Sequence, residues 1–136
     1  MFKVLILCTG NSCRSQMAEA LLNHDLLGQV QAFSAGTKPQ PRVAAGAIEA
    51  LQLIGLPTAD LYPKDVDKFR HEPLDLVVTV CDNAQESCPV FPRPVPKLHL
   101  PFHDPHGEAL ASFVRVRDDI RARLIPAVRH ELGLQE

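Results

Sequence analysis

The chain has 136 residues, 46% of them hydrophobic, which suits one domain spanning 1–136 that buries roughly 70% of its unfolded surface without metal or disulfide staples. A net charge of −2, with 14 Lys and Arg spread along the chain, excludes an electrostatic case for binding nucleic acid or an anionic membrane. No stretch approaches the ~20 apolar residues of a membrane span.

Phe2 to Leu7 is an almost unbroken apolar run, as in a strand buried on both faces of a parallel sheet. It leads directly into polar Thr9-Gly10-Asn11 and has no small-residue cleavage site, so a cytoplasmic protein is expected. From Ser15 the apolar positions Met17, Leu21, Leu22 and Leu26 recur at helical spacing, and Gly28 supplies a stop. Val30 to Ser34 reads as a second strand. Pro39 and Pro41 break the chain before a helix over about 42–54, and a short third helix is expected over 64–69. Leu74 to Val80 is the clearest strand. A Cys- and Pro-rich loop from Cys81 to about Pro96 precedes a short strand near 97–100. A last helix runs over about 108–132, with a kink expected at Pro126. Strands alternating with helices define an α/β fold with a mainly parallel sheet. Ligands in such folds bind beyond the carboxyl ends of the strands, which is where the loops at 8–14 and 81–88 should meet.

The first of these loops is Cys8-Thr9-Gly10-Asn11-Ser12-Cys13-Arg14-Ser15, with five residues between Cys8 and Arg14. Between a strand and a helix, a loop of this length can curl so that its backbone N–H groups and the helix N-terminus form an anion nest. Gly10 and Asn11 tolerate the positive φ that curling requires. Arg14 offers a planar fork to two oxygens of a tetrahedral anion. Cys8 at the floor should be a nucleophile with a lowered pKa, and Ser15 can donate to it. Thr9, Gly10, Asn11, Ser12, Cys13 and Arg14 would then hold the oxyanion. Asp104, in His103-Asp104-Pro105, is placed to protonate a leaving oxygen, although an Asp-Pro pair also starts turns.

The chain has four cysteines, Cys8, Cys13, Cys81 and Cys88, which allow three pairings that sequence does not choose among. Cys81 and Cys88 are separated by six residues, wider than the close pairs usual for zinc, although His99, His103 and His106 could complete such a site. Thiol exchange is the competing reading: an adduct on Cys8 attacked by Cys81, with Cys88 then taking over the bond.

Taken together, these residues resemble the arsenate reductases built on the low-molecular-weight protein tyrosine phosphatase fold. The match runs through residues 8–20, Phe33-Ser34-Ala35-Gly36, residues 75–81, Cys88-Pro89, Phe102-His103-Asp104-Pro105 and residues 113–118. The resemblance implies a three-layer domain with a four-stranded parallel sheet flanked by helices. It implies that Cys8 attacks arsenate, that Arg14 and the loop amides hold it, that Ser15 assists the thiolate and that Asp104 is the general acid. Cys81 and Cys88 would form a two-electron relay taking arsenic from +5 to +3, reset by thioredoxin, or by glutaredoxin or a small thiol. It implies no tightly bound cofactor, although some relatives hold a potassium ion beside the loop; the matching positions are Asn11, Glu19, Ser34 and Asp65. A monomer without nucleic-acid or membrane partners is expected. The chain departs from the family in a shorter segment at 37–41, which leaves that flank of the pocket open to question, and in His103 before the Asp-Pro. A phosphatase acting on tyrosine phosphate or small esters, or a non-enzymatic thiol sensor, would use parts of the same set.

Overall fold

A computed structural model describes residues 1–81, 91–92 and 94–134. Four strands, β1 (Phe2–Cys8), β2 (Val30–Gly36), β3 (Leu76–Thr79) and β4 (Lys97–His99), form a wholly parallel sheet in the order β2-β1-β3-β4. β1 is central, and Val4 to Cys8 are all buried, which accounts for the unbroken apolar run. The helices are α1 (Arg14–Asp25), α2 (Ala45–Gln52) and α3 (Leu110–Leu132), with a 3-10 turn at Val66–Phe69. Alternation along β2 shows the layers: the Ser34 hydroxyl reaches Glu19 on α1, while its neighbour Phe33 packs on Phe69 of the 3-10 turn with ring centroids 5.3 Å apart.

Two elements are shorter than periodicity predicts, for identifiable reasons. The helix expected from 42 begins at Ala45 because Arg42 and the extended Ala44 are tied to the 8–15 loop: the Ala44 N–H donates to Ser12 O and the Ser12 hydroxyl to Arg42 O. At its far end Gly55 takes φ 77°, which ends helical geometry. The expected helix at 64–69 closes only as a 3-10 turn, capped by the Asp65 carboxylate, which accepts from the Asp67 N–H at 2.9 Å. α3 continues through Pro126 as a single helix. Part of the loop expected over 81–96 lies outside the described residues.

Long-range polar ties lock the helices. Buried Arg117 on α3 donates to Ala50 O near the end of α2 at 2.8 Å. A Cβ on Gly46 would lie 2.5 Å from the Phe113 ring, so α2 and α3 approach as closely as they do only with glycine there. Arg121 forks onto Asp25, with both bonds at 2.7 Å, and this pairing holds the Asp25 carboxyl below its ordinary range, with His24 adding to the effect. Because the folded pKa is depressed, this stability is fully present above the unfolded carboxyl value and disappears as pH falls through the folded one. Asp25→Asn should therefore cost about 1 kcal/mol at neutral pH, and the gap to wild type should close on acidification. Urea melts across acidic pH check this; a gap independent of pH would mean that the pair contributes only packing.

Among the described residues no helix is long and apolar enough to cross a membrane.

Candidate active site

The strand order reverses between β1 and β3, so the crevice expected of a parallel α/β sheet opens at the carboxyl ends of those two strands. Cys8 is the last residue of β1, and Cys81 follows β3 by two residues. Both are buried, at 4% and 7% exposure, and Cys81 acts on the Cys8 thiol more strongly than any other group does. The Thr9 N–H donates to Cys81 Sγ at 3.3 Å and also faces Cys8.

The loop between them is an inward-facing cradle, and its carbonyls show why. Thr9 O, Gly10 O and Ser12 O accept from the N–H groups of Lys38, Gln40 and Ala44, and Asn11 O accepts from the Gln16 side chain at 2.9 Å. In a trans peptide the C=O and the next N–H point opposite ways. With these carbonyls bound outward, the N–H groups of Gly10, Asn11, Ser12 and Cys13 turn to the inner side. α1 then starts with no side-chain cap, which leaves its N-terminal donors to the same hollow. The short 37–41 segment thus completes this flank of the pocket by strapping the loop.

Asn11 carries the positive φ, at 49°; Gly10 does not, and a Cβ there would come 2.9 Å from Cγ of the exposed Gln40 side chain, which would have to shift. Gly36 is more constrained: its Cβ would fall 2.5 Å from Thr9 O. The fully buried Asn11 donates to Ser15 Oγ and accepts the Lys64 N–H, both at 2.8 Å. Ser15 keeps its own hydroxyl proton for another acceptor. Arg14 donates to Phe102 O at 3.2 Å and lies 3.6 Å from Asp104 Oδ2. Its Nε is buried without a partner among the described residues, as expected of a group kept for an absent oxyanion. Asp104 is half-exposed and also accepts from the His106 N–H at 3.1 Å, a turn contact made beside Arg14.

The thiol electrostatics differ from the lowered pKa expected at Cys8. Its thiol is pushed above the ordinary range, first by the Cys81 sulfur and then by burial, while Arg14 and the Thr9 N–H pull the other way. A second thiol at the floor of the loop was not visible from the 8–15 segment taken alone. Cys13 is pushed up to about 12 by burial, with the Asp104 carboxylate adding to it, so it stays a protonated thiol. Cys88 lies outside the described residues. His103 pairs with Glu108 at 2.8 Å and His99 bonds Thr79 at 2.7 Å; among the described residues no group of three or more His, Cys, Asp or Glu is gathered for a metal.

The positions matching a potassium site are engaged with protein partners. Ser34 donates to Glu19 Oε1 at 2.8 Å, Asn11 Oδ1 is taken by the Lys64 N–H, and Asp65 is exposed with its carboxylate turned to the 3-10 cap. Lys64 and Gln16 were not singled out from sequence. Gln16 stands inside the loop motif, whereas nothing marks Lys64 except its burial.

A catalytic-type loop on a 2-1-3-4 parallel sheet defines a phosphatase-like α/β protein. The chain belongs to the family described as low molecular weight phosphotyrosine protein phosphatase, which it matches over residues 3–132. Within that family its relatives include arsenate reductase 2 of Staphylococcus haemolyticus (strain JCSC1435), 39% identical over 89% of this chain and 92% of that protein. The arsenate reductase of Archaeoglobus fulgidus superposes with a TM-score of 0.78 at 34% identity, covering 92% of this chain and 98% of that one. A thioredoxin-dependent arsenate reductase of Corynebacterium glutamicum gives a TM-score of 0.78 at 25% identity, over 99% of this chain and 64% of that chain.

Proposed function

We propose that this chain is an arsenate reductase working through a Cys8–Cys81–Cys88 relay. The observation that carries the reading is a second buried cysteine, Cys81, beside Cys8 at the floor of an oxyanion cradle, its sulfur taking the Thr9 N–H. A phosphatase of the same family needs the first sulfur and not the second. Arsenate enters the loop, where the inward N–H groups and Arg14 hold its oxygens. The Cys8 thiolate attacks arsenic, and Asp104 protonates the departing oxygen, which leaves as water. Cys81 then attacks Cys8 Sγ. The S–As bond breaks, its electron pair passes to arsenic, and As(V) leaves as arsenite with a Cys8–Cys81 disulfide behind it. Cys88 attacks Cys81, frees Cys8 and leaves a Cys81–Cys88 disulfide for an external dithiol. Ser15, steadied by Asn11, stabilises the Cys8 thiolate when it attacks and when it leaves.

Thioredoxin is the reductant this scheme favours, because an intramolecular disulfide suits a dithiol partner and one relative bears that dependence in its name. The chain acts as a monomeric, one-domain cytoplasmic enzyme that detoxifies arsenate. Phosphoester hydrolysis is the second reading, supported by the family and the cradle. Against it, His106-Gly107 follows the Asp-Pro, with no Phe, Tyr or Trp there for an aryl ester to stack on.

The test is arsenate-dependent NADPH oxidation with thioredoxin and thioredoxin reductase. Wild type should turn over many times, and Cys88→Ser should stall after about one turnover, the fate of a relay that cannot pass its disulfide outward. Absence of wild-type turnover with thioredoxin, glutaredoxin and small thiols, together with brisk aryl phosphate hydrolysis, would put the phosphatase reading first.

A further inference from the structure

Behind the loop, on the side away from the oxyanion hollow, lies a charge that the chemistry above does not use. Lys64 is only 9% exposed. Its ammonium donates to Tyr62 O at 2.7 Å, stands 3.5 Å from Glu19 Oε1 and lies 4.5 Å from the centre of the Tyr62 ring. A carbonyl oxygen, a carboxylate and an aromatic face are what a desolvated cation requires. The same residue is tied to the loop by its backbone. Its N–H holds Asn11 Oδ1, its carbonyl takes the Gly36 N–H at 2.8 Å, and Gln16 bridges Asn11 O to Tyr62 O. Asn11 is the one residue of the loop held at positive φ, and it carries Ser15. Displacing the 62–64 segment would therefore release the loop's most constrained position.

We propose that Lys64 is a positioning residue whose buried ammonium is the resident counter-cation of Glu19, so that the oxyanion loop is ordered without a bound monovalent ion. The ammonium neutralises a largely covered carboxylate whose other partner is the uncharged Ser34 hydroxyl, and it fixes segment 62–64 as the platform on which Asn11 rests. Asp65, next in sequence, is correspondingly free to cap the 3-10 turn. This inference rests on the loop's being an oxyanion cradle, but not on arsenate's being the oxyanion or on the thiol relay.

The probe is inorganic phosphate, titrated calorimetrically into the protein in potassium chloride and, at equal ionic strength, in choline chloride. Wild type should bind phosphate equally in both salts and melt at the same temperature. Lys64→Ala leaves the Glu19 carboxylate facing a space. It should bind phosphate more weakly in choline chloride and recover about fivefold or more in potassium, with a higher melting temperature there. The double variant Lys64→Met/Glu19→Gln removes both charges and should fold and be indifferent to potassium. A wild-type protein whose phosphate affinity or melting temperature rises with potassium would overturn the proposal. So would Lys64→Ala binding phosphate as wild type does in choline chloride, or a double variant that responds to the ion. If Lys64→Ala does not fold, the wild-type and double-variant arms decide. Because no arm requires arsenate reduction, failure of the relay and failure of this inference are separately visible.

Discussion

Arg14→Lys should lower kcat/KM for arsenate by about 10²–10³-fold, although the positive charge is kept. The guanidinium is oriented before any ligand arrives: one terminal nitrogen donates to Phe102 O, the other lies beside Asp104, and Nε is buried without a partner. A lysine ammonium is a single point on a flexible stem. It can satisfy Phe102 O or an oxygen of the oxyanion, and it cannot present the parallel donors of a fork. The loss should appear in both terms, in KM because the ground-state anion loses donors and in kcat because charge builds on those oxygens in the transition state. Aryl phosphate hydrolysis, where measurable, should fall in step, since both reactions would use one cradle. Steady-state kinetics with each substrate checks this. A variant within a few-fold of wild type would mean that the backbone N–H groups hold the oxyanion unaided.

The contrast between Arg14 and Lys64 shows what in this protein can be read without coordinates. Arg14 sits inside a motif of eight residues whose chemistry is local: a strand end, a turn and a helix start within one loop length. Residue types at fixed spacing therefore suffice to place it. The meeting of Cys81 with the 8–14 loop was legible for a different reason, because parallel α/β topology brings strand ends to one edge regardless of what the loops contain. Lys64 has neither advantage. It is one of 14 basic residues, and only its burial against Glu19 distinguishes it from a solvated lysine. The strapping of the loop by Lys38, Gln40 and Ala44 was hidden because it is made by backbone groups, which any sequence supplies. That is why the short 37–41 segment left that flank of the pocket undetermined from sequence. The helix at 42–54 lost its first turn to the same cause: periodicity registers which side chains are apolar and not which N–H groups are committed elsewhere. Cys8 shows the converse error. The loop alone argues for a depressed pKa, whereas a partner far along the chain, together with burial, pushes the thiol up.

That reversal has a measurable consequence. Cys81→Ser should make Cys8 more reactive toward iodoacetamide at neutral pH, by about an order of magnitude or more, even as it abolishes multiple turnover. The largest influence raising the Cys8 thiol is the Cys81 sulfur, ahead of burial, and the influences that remain to oppose burial are Arg14 and the Thr9 N–H. A serine hydroxyl in that place can donate to a thiolate and does not compete with it for negative charge, so the Cys8 titration should move down. Each unit it moves raises the thiolate fraction about tenfold below the midpoint. Following alkylation of the Cys8 peptide by mass spectrometry against pH separates it from Cys13, whose thiol stays protonated near neutrality. In wild type the alkylation rate should climb toward alkaline pH, and in the variant it should level off earlier. Two interacting thiols behave as one titrating unit, so the arrangement would suppress Cys8 reactivity in the empty enzyme while keeping Cys81 beside it for the relay. An unchanged profile in Cys81→Ser would show that burial alone sets the Cys8 thiol. The second cysteine would then serve the relay without restraining the first.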